Sequence, residues 1–589
     1  MVAETNRASA QSQEVAKNSV AERAGFEAPT NSTTVENTTE KPFGSTILSR
    51  VGVQTAQPIP LTLNEAIRKA LESNNSIEVA RDDVRFQETQ IRSLLGFYDP
   101  VFSATPTYTR NNTTGSPATK DFSINTNLNS AIRQGGGSYQ LFFNNTRTEN
   151  AFAQAQVSSG QLGSSGNSAI FSSTAGIRYT QPLFRNFNID NTRRNIKIAR
   201  RRLEQNDADF RRQTIDTIAQ VQRTYWDLVF ALRDQQNRMA NLSLSQENLR
   251  QVEERIKAGA AAPLARAEVA TELANRESDL LLATQQVSIT ENSLKQLLLK
   301  DAINLEWEQS YVPTDKPAFS LDAVNLDNAI KDAMDNRFEL RRLKLARDIN
   351  AIDISYFKNQ LRPQIDLNTT FSLDGLSRGG QFATTSQFIP LISRTPLSVQ
   401  TNASSFLLSR IDPNGLLVVP TLEIPPTPSF LVGGFNRSLA NLFRSDAPNY
   451  SIGVTFSFPL RNQRAKADLA GSRVQENQIA TQTRAQEQVV IVEVRNAVQA
   501  VETSRQRVLT SRRARENAEI QLDGERKLFD SGKSTTFLLF QRENALTNAR
   551  NAEIRSETDY NKAIADLQRA TSTTFQLNNI EVDSPGDKK

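Results

Sequence analysis

Four stretches of the chain alternate apolar and polar residues one by one, and far longer stretches between them repeat apolar residues every three or four positions. The clearest alternation sets Tyr450, Ile452, Val454, Phe456 and Phe458 against Ser451, Gly453, Thr455 and Ser457. A period of two predicts a strand with one apolar and one polar face. Phe102, Ala104 and Tyr108 oppose Ser103, Thr105, Thr107 and Thr109; Ala175, Ile177 and Tyr179 oppose Gly176, Arg178 and Thr180; Ile365, Leu367, Thr369, Phe371 and Leu373 oppose Gln364, Asp366, Asn368, Thr370 and Ser372. Between 111 and 172 a Gly/Ser/Asn-rich stretch holds two further alternating runs, Phe122 to Leu128 and Tyr139 to Phe143, around Gly135-Gly136-Gly137. This pattern reads as a hairpin inserted in a loop; whether it extends away from the main strands or adds strands beside them is open from the sequence, with the first favoured.

The helical pattern is just as regular. One helix is expected from about Thr62 to Phe97, stopped by Asp99-Pro100, since proline lacks an amide hydrogen and disfavours helix in the residue before it. A second runs from about Asp190 to Lys257, its seam passing through Ile215, Ile218, Val221, Tyr225, Leu228, Leu232, Met239, Leu242, Leu249, Val252 and Ile256. So narrow a stripe suits coiled-coil packing better than burial in a globule. After a turn at Gly259-Ala260-Ala261-Ala262-Pro263 another helix continues to about Lys300. The plan then repeats: Leu326-Asp327-Asn328-Ala329-Ile330 answers Leu63-Asn64-Glu65-Ala66-Ile67, Pro459-Leu460 answers Pro182-Leu183, and Asp530-Ser531-Gly532-Lys533-Ser534 answers the first turn. The expected organisation is a tail (1–60), a first repeat (61–310), a linker (311–325), a second repeat (326–573) and a second tail (574–589). Between the strands of the second repeat, Gly375 to Pro448 reads as a long loop with apolar patches.

Lengths carry the next step. At about 1.5 Å per residue, a helix of roughly 68 residues spans about 100 Å and one of roughly 36 spans about 54 Å. Two shorter helices end to end match one long helix, so each repeat is expected to be a slender rod capped by strands. Four strands are too few to close a barrel, which needs about eight. Several copies are therefore expected to pool their strands, apolar face outward and polar face inward.

Composition narrows the chemistry. The 589 residues include no histidine and no cysteine, which removes imidazole bases, thiolate nucleophiles, disulfides and the commonest transition-metal ligands together. No enzyme activity, cofactor or metal site is expected. The net charge of +5 is small for this length, and nucleic acid is not an expected partner. One basic cluster stands out: Arg193, Arg194, Lys197, Arg200, Arg201, Arg202, Arg211 and Arg212. Two readings remain open for it, a solvated helix face or a positive ring around a pore. No apolar run reaches 18 residues, so no transmembrane helix is expected. Met1 to Pro60 lacks the apolar core of an export signal and reads as a disordered tail.

The paired helix openings at Leu63 and Leu326, the helix-to-strand steps Tyr98-Asp99-Pro100 and Leu361-Arg362-Pro363, the strand-to-helix steps Gln181-Pro182-Leu183 and Phe458-Pro459-Leu460, and the two glycine turns together resemble the TolC-like outer membrane efflux proteins. The likeness runs from Leu61 to about Phe575. It implies an α+β membrane protein in which long coiled-coil hairpins carry a four-strand contribution per protomer to a trimeric 12-stranded barrel. It further implies a homotrimer in outer membrane lipid, a helical tunnel in the periplasm, and partners in a periplasmic adaptor and an inner-membrane transporter. Such a duct passively conducts substrates outward for efflux or type I secretion.

The family's adaptor-docking turns fall on Gly259, Ala260, Ala261 and Ala262 and on Gly532, Lys533, Ser534 and Thr535. Relatives close their tunnel with an aspartate ring and an aromatic-arginine linkage. Here the aromatic matches at Phe529, but the aspartate positions hold Leu538 and Gln541 and the arginine position holds Ser534. The candidates for the constriction are therefore Phe529, Leu538, Gln541, Arg542 and Glu543, and for lumen charge Arg194, Lys197 and Arg201. The rival expectation is a non-membrane coiled-coil scaffold or surface filament subunit.

Overall fold

The computed structural model describes residues 50, 53–112, 114, 118–149, 169–259, 262–379, 386–390, 421–426 and 428–582. All of them belong to one compact unit, Arg50–Lys589. Along the chain come β1 (Gln54–Leu61), α1 (Leu63–Ser73), α2 (Asn75–Leu95), β2 (Val101–Asn111), β3 (Thr119–Ala131), β4 (Ser138–Glu149), β5 (Ile170–Pro182), α3 (Asn191–Lys257), α4 (Pro263–Leu298), β6 (Gln309–Pro313), α5 (Leu326–Asn336), α6 (Phe338–Gln360), β7 (Gln364–Arg378), β8 (Gln387–Pro390), β9 (Thr421–Ile424), α7 (Phe435–Phe443), β10 (Pro448–Ser457), α8 (Gln463–Asp530), α9 (Thr536–Thr571) and α10 (Thr574–Leu577).

The main sheet has six strands in the order β10-β7-β5-β4-β3-β2, every neighbouring pair antiparallel. Two expectations are corrected by it. The sheet has six strands rather than four, and of the two placements open for the hairpin around Gly135 the structure has the one not favoured: it lies within the sheet as β3 and β4. Its turn lies at the end nearest the helices, where the Gln181 side-chain amide donates to the Gly135 carbonyl at 2.8 Å. The register puts Phe102, Tyr108, Phe122, Leu128, Leu141, Ile177, Phe371 and Tyr450 on one face. The opposite face carries Thr105, Asn125, Asn127, Asn144, Thr174, Thr370 and Ser451. Both outer strands, β2 and β10, are exposed along their whole length.

Within the expected loop after Gly375, the described residues form β8, β9 and the short helix α7. That helix lies on the apolar face at the end of the sheet away from the long helices. Ser438 Oγ is 2.9 Å from both Ser173 Oγ and the Gly375 carbonyl, and Asn441 donates to the Leu376 carbonyl at 2.8 Å.

The two helices expected to be continuous are each broken once. α1 ends at Ser73 because Asn74 turns extended and caps α2, its side chain accepting from Ser76 N at 2.9 Å; Arg337 makes the matching break between α5 and α6. Two boundaries also shift. Gln54–Pro60, expected as tail, pair as β1 in parallel with β6, which takes in the first residues of the expected linker. The expected second tail begins with the short helix α10.

The helices pair as two hairpins, α3 with α4 and α8 with α9. Each hairpin has its own apolar clusters. In the first, Ile218, Val221, Tyr225, Leu228, Val287, Leu294 and Leu298 pack with Ala66, Ile67 and Tyr311. In the second, Val490 and Val494 pack with Ala329, Ala333 and Ala570, Val501 and Val508 with Tyr560, and Leu522 with Leu539 and Leu546. At the root of the first hairpin, Glu291 and Lys295 are fully buried together; the Glu291 carboxylate accepts from Lys295, Arg50 and the Tyr311 amide. Among the described residues no helix is long and apolar enough to cross a membrane, and no cluster suits a metal ion.

Candidate functional site

The hairpin tips are built by the local sequence. At the end of α8, Gly532 has φ +73°, its amide donates to the Phe529 carbonyl at 3.0 Å, and the Lys533 amide donates to the Leu528 carbonyl at 2.9 Å. This pair of bonds is a Schellman stop, which needs a left-handed residue that glycine supplies without strain. Gly259 shares the φ of +73° and bonds back to the Ile256 carbonyl at 2.9 Å. Pro263 then opens α4 at a position where its missing amide costs nothing, while Thr535 caps α9. A side-chain carbon added at either glycine would meet nothing within 4 Å, so both turns face open space.

Of the expected docking residues, Ala260 and Ala261 lie outside the described residues. Ala262, Lys533 and Thr535 are exposed, and Ser534 donates to Glu525. The sequence reading missed the most exposed apolar side chains at the tips, Leu264 and Phe537, at 69% and 70% exposure. Their signal was present: each is a bulky apolar residue in the first turn of a helix, immediately after a glycine turn.

The constriction candidates separate. Phe529 packs with Leu522, Leu539 and Leu546, and the Arg255 guanidinium lies 4.9 Å from its ring centre. An arginine-aromatic contact therefore joins α3 to α8 near the tips, its arginine coming from the other repeat. Leu538 and Gln541 are exposed. Arg542 turns to α8, donating to Gln521 at 3.0 Å, whereas Glu543 is buried. Burial raises the Glu543 pKa above the ordinary carboxylate value, opposed by Arg526 at 3.5 Å.

Glu543 belongs to a ladder that links the two hairpins along α3 and α9. From the sheet end toward the tips run Asp216 with Arg569 at 3.8 Å, Arg223 with Asp566, Asp227 with Lys562 at 2.8 Å, and Phe230 under Arg555 at 5.8 Å. The Asn551 amide then donates to Asp234 at 2.5 Å and accepts from Asn237 at 2.6 Å, and Asn248 donates to Glu543 at 3.5 Å. Apolar burial holds each hairpin together, and polar pairs hold one hairpin to the other.

The basic cluster is largely neutralised. Arg194 bonds Asp353 at 2.5 Å and lies 5.2 Å from the Tyr356 ring centre. Arg201 pairs with Glu204 at 2.8 Å, whose hydrogen bond raises the arginine pKa further. Lys197 is exposed and has no ion pair among the described residues.

The lateral edges of the helical layer expose apolar residues at intervals. Val79 and Phe86 on α2 and Leu281, Leu282 and Ile289 on α4 mark the edge below β2; Val474, Val489, Val492 and Ile520 on α8 mark the edge below β10.

The family model for outer membrane efflux proteins matches residues 143–298 and 428–573, together about half of the chain. Both matched segments end with the second helix of a hairpin. A comparison with curated proteins found no match. Among solved structures, the outer-membrane channel OprN aligns at 14% identity and a TM-score of 0.56, over 94% of this chain and 99% of that one. The Campylobacter jejuni CmeC outer membrane channel aligns at 12% identity and 0.55, over 95% and 98%. CusC, whose structures concern transmembrane channel formation, aligns at 14% identity and 0.56, over 86% and 91%. At these identities the likeness establishes a shared fold.

Proposed function

Because the chain belongs to the outer membrane efflux protein family, we propose that it is the exit duct of a tripartite efflux or type I secretion system. Three copies close the sheets into a barrel in the outer membrane and the hairpins into a periplasmic tunnel. The observation that carries this reading is the sheet: one face apolar, the other rich in Asn, Thr and Ser, and both edge strands bare. An open sheet of this kind leaves backbone groups unpaired and a broad apolar face in water. Lipid on one side and sister strands at each edge satisfy both demands at once. The apolar residues at the two lateral edges of the helical layer support the same arrangement, each edge covered by the opposite edge of the next copy.

Conduction is passive, driven by an inner-membrane transporter to which a periplasmic adaptor couples the duct. The adaptor docks at Gly259–Ala262 and Gly532–Thr535, with Leu264 and Phe537 as apolar contacts. Arg255, Phe529, Leu538, Gln541, Arg542 and Glu543 govern the tip-end constriction, and Arg194, Lys197 and Arg201 bias the lumen toward anions, Lys197 most. The test is native mass measurement in mild detergent followed by reconstitution in planar bilayers. A trimer with stable conductance, whose anion preference weakens in the Lys197→Gln variant, is the expected result. A monomer that stays in solution without detergent returns the molecule to the scaffold reading.

A further inference from the structure

We propose that the barrel wall is closed by eighteen strands, six from each of three copies, so that β3 and β4 are part of the membrane wall. The proposal rests on the trimeric reading above and concerns what each copy adds to it. Three observations carry it.

First, β3 and β4 are full members of the sheet. They have 13 and 12 residues, against 13 in β5 and 15 in β7, and they pair without a break with β2 on one side and β5 on the other. Second, β3 keeps the phase of its neighbours from Phe122 to Leu128, and β4 keeps it over Tyr139, Leu141 and Phe143, beyond which Asn145, Arg147 and Glu149 continue the same face to the end away from the helices. Phe122, Ile124 and Leu128 fall in line with Phe102 and Tyr108 on the apolar face, and Asp121, Ser123, Asn125, Asn127 and Asn129 fall on the polar face. A hairpin standing in water outside the membrane has no need of an apolar face in register with the membrane wall. Third, the turn joining them sits at the helix end of the sheet, tied to Gln181, so both strands cross the same height as β2 and β5.

Six is an even number, so the two edges run in opposite directions. β2 leaves the helix end and β10 returns to it, and β10 of one copy therefore meets β2 of the next antiparallel. Their lengths agree, 11 and 10 residues, and both put aromatic and branched residues on the same side of the joined sheet. Pro106 lacks an amide hydrogen, which leaves β2 one ladder bond short on one side.

The consequence is bore. With strands about 4.8 Å apart and tilted about 40°, each takes about 6.3 Å of circumference, giving a backbone diameter of about 36 Å for eighteen strands and about 24 Å for twelve. That is the scale of large water-filled porins. The sheet end then imposes no size limit on bulky hydrated solutes, and selection by size falls to the helical tips.

The chain contains no cysteine, so single cysteines report without background. The experiment places spin labels at Ile124→Cys, Asn125→Cys, Asn127→Cys and Leu128→Cys in reconstituted protein, and reads relaxation by oxygen, which concentrates in lipid, and by a water-soluble nickel chelate. A separate Thr105→Cys/Thr455→Cys variant is oxidised to test the seam between copies. Eighteen strands give oxygen access at 124 and 128, nickel access at 125 and 127, and disulfide-linked trimers. Linked trimers with all four labels open to nickel overturn the strand number and leave the trimeric duct standing. Absence of any linked species, with monomers in mild detergent, overturns the duct itself.

Discussion

The contact between Arg255 and Phe529 offers the sharpest test of how the hairpins are held at their tips. Arg255 is exposed, and its guanidinium sits 4.9 Å from the ring centre; a cation over an aromatic face at an exposed site contributes about 0.5–1 kcal/mol. Phe529 is anchored in its own hairpin by Leu522, Leu539 and Leu546, so Arg255→Ala removes the bridge and leaves that packing in place. At about 1.4 kcal/mol per factor of ten, losing one bridge favours the parted hairpins by about 2- to 5-fold. If three copies part together, the losses add to about 1.5–3 kcal/mol, or about 12- to 140-fold. Open probability in planar bilayers distinguishes the two regimes. The Phe529→Leu variant is the control, since it keeps an apolar side chain in the cluster and removes the π face. It should open the channel as much as Arg255→Ala. Unchanged opening in both variants refutes the bridge as a latch.

Three further outcomes are expected. Burial lifts the Glu543 pKa in the folded state, so the charged form costs stability above that pKa and the cost is relieved as pH falls through it. The hairpins should hold more firmly as pH is lowered from 7 toward the carboxylate range, and Glu543→Gln should flatten this slope; a variant with the wild-type slope of open probability refutes the assignment. Replacing Glu291 by Ala leaves the buried Lys295 and Arg50 without their counter-charge, though Lys295 still donates to the Trp307 carbonyl; the expected loss is about 3–5 kcal/mol, measured as a lower thermal midpoint, and a midpoint equal to wild type would show that water reaches the site. At Gly375 an added carbon would stand 2.1 Å from the Ser438 carbonyl and 2.5 Å from Leu442 N, so Gly375→Ala should lift α7 from the sheet and speed proteolysis between Gly434 and Ser445 with the barrel intact. Equal proteolysis rates count against that packing.

The long helices, the glycine turns and four of the six main-sheet strands were legible because each rests on a local rule: a period, a cap, a proline stop. The break at Asn74 lies inside an apolar period that continues on both sides of it, so the period predicts one helix where the asparagine cap makes two. Strands β3 and β4 were legible as strands, but their place in the sheet was not. The polar face of β3 is built largely from asparagine, a residue disfavoured in strands, within a stretch whose glycine and serine content imitates a surface loop. Nothing local announces the pairing of β1 with β6, because its partners are far apart in the chain. The same distance hid the link at Phe529: the sequence offered Ser534 at the arginine position of relatives, and only folding brings Arg255 across from the other repeat.

The ladder between α3 and α9 has a consequence for reuse. Carboxylates, amides and guanidinium groups are as content with water as with each other, so hairpins that separate along this line trade partners with the solvent and bare no sticky core. The joint can be undone and remade many times, and because its ion pairs are screened by salt, the ionic strength of the surrounding fluid sets how loosely it is fastened.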